Sequence, residues 1–245
     1  MKIRYSLLPY LYTLFHSAHT TGSTVMRALA WEFPNDPFLA AADRQFLLGP
    51  SLLVTPVLEP LARSVNGVFP GGAQGTKWYD WYNQSAVFVP RSTGPAGNVS
   101  IDAPLTHLPL FIRGGSVLPQ QEALMTTSAC RNSPWSLIAA LDANGAAEGS
   151  LYVDDGESVA PDATLFVDFT AADNRLYASP RGAYEDTNAL ANVTVLGVQA
   201  APENVTLNGV GVGFAYDAAS QVLSVRGLQN MTTQGAWCGD WVLGW

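Results

Sequence analysis

The spacing of hydrophobic residues in the first fifth of the chain predicts a helix, a strand and a second helix. Residues 3–19 place apolar side chains at helical spacing, and Pro9 within this run predicts a kink or a new helical turn. Residues 24–33 form a short apolar run that is typical of a buried strand. An Asp-Pro pair then predicts the start of a second helix over residues 37–46.

This order of elements over residues 1–48 is typical of a parallel β/α architecture. A parallel strand needs parallel neighbours that are joined to it by crossover connections, and no other strand flanked by helices is predicted in the chain. We therefore expect the segment to be the end of a larger β/α fold whose earlier units lie on polypeptide not included here. The expected apolar surface on the isolated chain includes Leu7, Leu11, Leu14 and Val25.

From Gly49 onwards the pattern changes to short β-rich runs that are separated by Gly, Pro and Asn. This spacing favours antiparallel sandwiches. A polar stretch that begins near Gln121 separates two such blocks. The predicted fold class is mainly β, with one β-sandwich-like domain over residues 49–121 and a second over residues 122–245, both preceded by the helix–strand–helix segment.

Composition and charge restrict the kind of partner. The net charge is −8, and only 13% of the residues are charged. Because phosphate neutralisation needs clustered Lys and Arg, the scattered basic residues argue against a nucleic-acid partner. No apolar run reaches the length of a membrane span, so a membrane partner is not predicted.

Five N-x-[ST] triplets indicate a secreted, glycosylated eukaryotic protein with an extracellular location. The first residues lack a cleavage site after an unbroken apolar core, so they predict a helix of a folded protein and not a signal peptide. In an oxidising compartment Cys130 and Cys238 could form a disulfide, and the alternative is two buried free thiols. The candidate glycosylation sites are Asn83, Asn98, Asn192, Asn204 and Asn230.

The carboxylates of LYVDDGES, residues 151–158, raise the question of catalysis. Neighbouring strand residues point to opposite faces, so Asp154 and Asp155 cannot both face one substrate while the chain is extended. The Asp-Gly step instead favours a tight turn in which Gly156 adopts a positive φ. The spacing of a calcium loop is absent. The sequence therefore predicts a turn and not a catalytic or metal-binding pair.

The histidines and aromatic residues offer two further candidates. His16 and His19 are three residues apart on the first predicted helix, but a zinc site needs additional ligands, so helix-surface or interface positions are favoured. His107 is predicted at a strand edge. WYDWYN, residues 78–83, could form a platform that stacks on sugars, whereas burial on both faces of a sandwich is the simpler interpretation.

Several stretches resemble the C-terminal half of glycoside hydrolase family 31, the α-glucosidases. The likeness begins with RYSLLPYLYTLFHSAHTTGSTVMRALAWEFPND and QFLLGPSLLVTPVL, and it continues through KWYDWY, APLTHLPLFIRGGSVLPQQ and LYVDDGES. It spans residues 2–158. The resemblance implies that residues 1–48 are the last helix–strand–helix of a (β/α)8 barrel, followed by the family's proximal and distal β-domains.

The resemblance also implies a reaction and shows what is missing for it. Family members hydrolyse terminal α-linked glucose with retention, through two catalytic aspartates on barrel segments such as W-x-D-M-N-E. No such segment occurs in this chain, so no catalytic, cofactor-binding or metal-binding residue is assigned, and the chain alone is expected to be inactive. An α-glucoside or malto-oligosaccharide is the expected ligand of the full enzyme. The alternatives are a carbohydrate-binding β-domain protein and a non-covalent subunit paired with an upstream chain.

Overall fold

A computed structural model of the protein describes residues 1–87 and 98–245, apart from the side chains of Ala73 and Asn98. Its secondary structure confirms the mainly β class. None of the helices in these residues is long and apolar enough to span a membrane. The α-helices are α1 (Lys2–Ser6), α2 (Leu8–Thr21), α3 (Leu29–Glu32) and α4 (Thr127–Arg131).

The strands lie between and after these helices. In chain order they are β1 (Met26–Arg27), β2 (Phe46–Leu48), β3 (Leu52–Val54), β4 (Ser64–Val68), β5 (Trp78–Asp80), β6 (Asn98–Asp102), β7 (Leu110–Arg113), β8 (Ser116–Gln121), β9 (Trp135–Ala140), β10 (Ala147–Val153), β11 (Leu165–Ala172), β12 (Arg175–Gly182), β13 (Leu190–Leu196), β14 (Thr206–Leu207), β15 (Val210–Gly211), β16 (Phe214–Asp217), β17 (Val222–Arg226) and β18 (Trp241–Gly244).

Residues 24–114 form one compact unit. Within its described part, one sheet has the order β1-β2-β3-β7-β5 with antiparallel pairing throughout, and β4 pairs with β6 in a second sheet. Strands of this unit bury apolar side chains against a small core. The buried members of that core are Leu29, Leu39, Leu47, Leu53, Phe69, Trp78 and Phe111.

Residues 1–23 and 115–245 form the other compact unit. In its described residues the sheet order is β15-β14-β18-β12-β11-β10-β8-β9-β13-β17-β16. Most neighbours are antiparallel, as the sequence predicts, but β9 and β13 pair in parallel, and so do β8 and β10. Strand β11 shows the expected alternation, because Leu165, Val167, Phe169 and Ala171 are buried while the residues between them are less so. The domain limits at residues 48 and 121 stay a prediction.

The first helical segment agrees with the sequence pattern. Leu7 separates α1 from α2, and Pro9 lies in the first turn of α2, where its missing N–H breaks no helical hydrogen bond. Helix α2 ends at Gly22, which adopts a left-handed conformation with φ 74°. The predicted helix with a break near Pro9 is therefore confirmed.

The next two predicted elements are wrong in detail. The run 24–33 forms only the two-residue strand β1, which is antiparallel to β2, and then the helix α3. The predicted helix over 37–46 is reduced to a 3-10 turn at Pro37–Leu39. Buried Gln45 explains why, since it accepts the Val68 N–H and donates to the Thr55 hydroxyl, both at 2.7 Å. These long-range bonds favour extended backbone that leads into β2.

The predicted exposed apolar surface is also wrong for half of its members. Leu7 and Leu14 are buried at 4% and 8% exposure, and Leu11 and Val25 are half-buried. The helical pattern showed which residues share a face but not which side of the helix packs against the sheet. The apolar side chains that are more than half exposed in the first 48 residues are Met1, Phe15, Met26, Trp31 and Phe38.

Candidate functional site

The three carboxylates after strand β10 do not converge on one point. Asp154 is only 3% exposed, whereas Asp155 and Glu157 are exposed. Gly156 adopts φ 71°, which confirms the turn predicted from the Asp-Gly step. The Ser158 hydroxyl and the backbone N–H groups of Glu157 and Ser158 donate to Asp155 and lower its pKa to about 2. Asp155 therefore closes its own turn.

Asp154 instead joins the end of β10 to helix α2. The Tyr12 hydroxyl donates to the two carboxylate oxygens at 2.8 and 2.9 Å, and the Gly156 N–H donates to Oδ1 at 2.8 Å. The Arg131 guanidinium donates to the Asp154 carbonyl oxygen. Burial and the hydrogen bond to Asp154 raise the pKa of Tyr12 to about 12, and the same two causes raise that of Tyr152 to about 12.

Two more residues of α2 contact strand β10. The Thr13 hydroxyl accepts the Tyr152 backbone N–H at 3.0 Å and donates to the Pro9 carbonyl. The His16 ring stacks on Tyr152 with centroids 3.8 Å apart and meets Phe166 edge-on at 5.3 Å. Burial, followed by the nearby His19, lowers the pKa of His16. His16 is thus a packing residue in this unit.

No metal site appears around these histidines in the residues that the structure describes. There, no group of three or more His, Cys, Asp or Glu side chains is placed to hold an ion. His19 is exposed at the end of α2. His107 stacks against Tyr82, with ring centroids 3.9 Å apart.

The aromatic run after β4 is mostly interior. Trp78 and Tyr79 point to opposite faces of β5, yet their exposures are 0% and 1%. The Trp78 indole N–H donates to the Pro70 carbonyl at 3.1 Å. Burial on both faces, the simpler of the two interpretations, is therefore confirmed for this pair, which leaves it no ring face for a sugar. Of the four aromatic residues in the run, only Tyr82 is substantially exposed, at 42%.

A groove of about 490 Å³ opens in the unit of residues 1–23 and 115–245. Its lining comes from helices α1 and α2, from α4, from residues 184–188 and from side chains of β9 and β10. Phe15 supplies an exposed aromatic ring, and Tyr12 also lines the groove. Arg131 and Asp186 supply a cation and a carboxylate. We refer to this feature as the α2 groove.

Asp186 is a partly buried acid in the lining of the α2 groove. Its Oδ1 accepts the Trp135 indole N–H at 3.1 Å and the Asn188 backbone N–H at 2.8 Å. Its Oδ2 receives only a long contact of 3.4 Å from the Asn188 amide. Burial raises the pKa of Asp186 although these hydrogen bonds act in the opposite direction. One oxygen thus keeps room for a further donor.

Sequence reasoning did not single out Arg131 or Asp186. Each lies in a polar stretch that carries no motif, and each becomes notable only through partners far along the chain. Arg131 lies with its guanidinium carbon 5.9 Å from the Tyr12 ring centroid. A local pattern cannot show such a pairing.

The cysteines do not form a disulfide in this structure. Cys130 is buried at 1% exposure, and its sulfur accepts the Leu124 N–H at 3.3 Å, whereas Cys238 is exposed. The disulfide considered from the sequence is therefore absent, because one sulfur is enclosed by its own loop. The two thiols are free, but only one of them is buried.

The candidate glycosylation sites differ in exposure. Asn83, Asn204 and Asn230 are exposed, while Asn192 is half-buried in β13 and donates to the Ser136 hydroxyl at 3.2 Å. Asn83 Oδ1 accepts the N–H and the hydroxyl of Ser85, at 2.9 and 2.6 Å. The side chain of Asn98 lies outside what the structure describes.

Comparison with known proteins defines the class. Residues 22–118 match the glycosyl hydrolase family 31 C-terminal domain. Over its whole length the chain also aligns with α-glucosidases. The chain is therefore similar to a C-terminal part of family 31 α-glucosidases.

The individual similarities are high in sequence and in fold. The chain is 59% identical to an α-glucosidase of Aspergillus oryzae and 57% identical to an α-glucosidase of Aspergillus niger, and each alignment covers 100% of this chain and 25% of the relative. The crystal structure of an ER glucosidase II heterodimeric complex superposes with a TM-score of 0.82 at 24% identity, over 100% of this chain and 28% of that chain. That likeness shows the shared fold. The chain spans about a quarter of the length of the curated relatives it matches.

Proposed function

We propose that this chain is the C-terminal portion of an α-glucosidase that hydrolyses terminal α-linked glucose with retention of configuration. The observation that carries the proposal is the identity of 59% and 57% with two α-glucosidases across the entire chain. The substrates of the whole enzyme would be α-glucosides and malto-oligosaccharides. Residues 1–48 would contribute the last elements of the catalytic barrel, and the β-domains would support it.

The chain by itself is proposed to be inactive. Retaining glycosidases need two carboxyl groups about 5–5.5 Å apart on either side of the scissile bond. In the only run of clustered acids that we considered from the sequence, Asp154 is buried under Tyr12 and Asp155 closes an exposed turn. Neither arrangement supports a nucleophile paired with a general acid.

We expect no hydrolysis of maltose or p-nitrophenyl α-glucoside by the purified 245-residue chain. The physical reason is that the clustered acids Asp154 and Asp155 do not form a carboxylate pair of the required geometry. A glucose-release assay measures this, with the full-length Aspergillus niger relative as the positive control. Turnover that co-purifies with the chain through two columns would contradict the proposal of inactivity.

Two alternatives remain as second candidates. The α2 groove, which combines ring faces with a carboxylate and a guanidinium, favours a carbohydrate-binding role for the chain. The exposed apolar side chains of the first 48 residues favour pairing with an upstream chain that carries the rest of a barrel. An upstream polypeptide that co-purifies with the chain from its source would support the second alternative.

We further propose that the chain belongs to a secreted glycoprotein. Support comes from the five sequons and from the exposure of three of their asparagines. We expect glycans at Asn83, Asn204 and Asn230 and lower occupancy at Asn192, whose amide is held by Ser136 in a paired strand. Peptide mapping after secretion from a eukaryotic host, with and without amidase treatment, would measure occupancy. Full occupancy at Asn192 combined with none at the three exposed sites would contradict this prediction.

A further inference from the structure

The α2 groove has the size and the side chains of a small-molecule site. Its volume of about 490 Å³ falls within the range of about 300–1,000 Å³ that is usual for ligand pockets. Phe15 on α2 is 59% exposed, so much of its ring remains available for contact. Tyr12, one turn earlier on the same helix, is half-buried beside it. The groove therefore offers the exposed ring of Phe15 as aromatic surface.

The lining of the groove also carries hydrogen-bonding groups with unused capacity. Asp186 Oδ2 has only the 3.4 Å contact with Asn188, and an ionised carboxylate oxygen can accept more than one bond. The Arg131 guanidinium has five N–H donors, one of which is directed to the Asp154 carbonyl. The groove thus has a carboxylate acceptor from Asp186 and N–H donors from Arg131 in the same lining as Phe15.

The charges of the groove balance, which argues against a charged ligand. Arg4 and Arg131 are opposed by Glu185 and Asp186 among the lining residues. An anion would be attracted by the two arginines and repelled by the two acids, and a cation would experience the reverse. Neither therefore gains a net electrostatic attraction. A neutral ligand with many hydroxyl groups and an apolar face suits this lining, because its hydroxyls can pair with the acid and the guanidinium while its C–H face covers the Phe15 ring.

We propose that the α2 groove binds a short neutral oligosaccharide, with Phe15 as the stacking residue and Asp186 and Arg131 as the hydroxyl-binding residues. The expectation that this sugar is an α-linked glucan rests on the proposed function. The proposal gives the carbohydrate-binding alternative a defined site. It requires no chemical step, so it can be tested without catalytic turnover.

Isothermal titration of the full 245-residue chain with maltotriose tests the proposal. We expect saturable binding that is about tenfold weaker in Phe15→Ala, as loss of one aromatic contact predicts, and also weaker in Asp186→Asn. The amide of the second variant keeps an oxygen for the Trp135 and Asn188 donors, so the fold should be retained. Phe38→Ala is the matched control, because Phe38 is also 59% exposed but does not line the groove; it should bind like the unchanged chain.

Absence of maltotriose binding, or equal weakening in Phe15→Ala and Phe38→Ala, would overturn the assignment. Circular dichroism melts of all variants separate lost binding from lost folding. The result is independent of the hydrolysis assay, since binding here involves no bond cleavage. Failure of the groove proposal and failure of the proposed enzyme parentage are therefore distinguishable.

Discussion

Replacement of Trp78 by Ala is expected to destabilise the unit of residues 24–114 by about 3–5 kcal/mol, the usual cost of removing a fully buried large aromatic side chain. Trp78 has 0% exposure and lies near Phe33 and Phe69, with ring centroids 6.5 and 6.2 Å away. The substitution would leave a cavity and remove the donor to the Pro70 carbonyl. Hydrogen exchange measured by mass spectrometry would locate the loss of protection in peptides from residues 24–114.

Trp31 provides the matched control for this experiment. Its side chain is 67% exposed on helix α3 of the same unit, so Trp31→Ala should change stability by no more than about 0.5 kcal/mol. Both variants replace Trp by Ala, so a difference between their free energies of unfolding reports the effect of burial. If Trp78→Ala were as stable as Trp31→Ala and gained exchange nowhere in the unit, the assignment of Trp78 to the core would fail.

The second large effect is expected from Asp154→Ala in the other unit. The substitution removes the acceptor of the Tyr12 hydroxyl and of the Gly156 N–H. Loss of a buried charged acceptor that serves several donors costs about 3 kcal/mol or more. Urea unfolding together with exchange in peptides of α2 and β10 would measure it. Helix α2 should lose protection first.

Asp155→Ala is the control for Asp154→Ala. Asp155 is the adjacent carboxylate, is exposed and bonds only within its own turn, so its removal should have a much smaller effect. A double-mutant cycle of Asp154→Ala with Tyr12→Phe should show coupling, because the two groups share hydrogen bonds. Additive effects of the two substitutions would indicate that the link between α2 and β10 is not made by this pair.

The stability that the contact between α2 and β10 contributes should depend on pH through Tyr12 and Tyr152. The pKa values of Tyr12 and Tyr152 are raised to about 12 in the folded chain, above the value of about 10 for an unperturbed tyrosine. A raised folded pKa means that the folded state holds its proton more tightly, so the contribution to stability is complete below pH about 10 and is lost as the pH rises towards about 12. Asp154→Ala should weaken this alkaline loss, because the neighbouring carboxylate is one of its causes.

Local chemistry was enough to predict some of this structure. The Asp-Gly step at residues 155–156 gave the turn and its positive φ, and Pro9 gave the break in the first helix. Alternation over β5 allowed burial on both faces for Trp78 and Tyr79, and the structure shows it. Each of these features depends on residues that are close together in the chain. Their physical cause is therefore contained in a short window of sequence.

Features that depend on distant partners were not predictable in this way. The side chain of Gln45 bonds to Thr55 and Val68, which lie 10 and 23 residues further along the chain, and these bonds favour the extended backbone that leads into β2. The sequence did not reveal that Asp154 would be buried, since Tyr12 is 142 residues away. The α2 groove likewise brings together Phe15 and Asp186, which lie far apart in the sequence. An apolar run such as 24–33 fits a strand or a helix equally well until its neighbours are known.

The separation of 142 residues between Tyr12 and Asp154 has a consequence for biosynthesis. At about 5–20 residues per second, a ribosome needs on the order of ten seconds to deliver β10 after α2 has emerged. During that delay the side chains of Leu14 and Tyr10, buried in the finished structure at 8% and 5% exposure, have no sheet to cover them. These apolar side chains of the nascent helix therefore stay exposed to solvent until β10 has been synthesised. We expect chaperone occupancy on ribosome-bound chains to fall once residue 154 has left the exit tunnel.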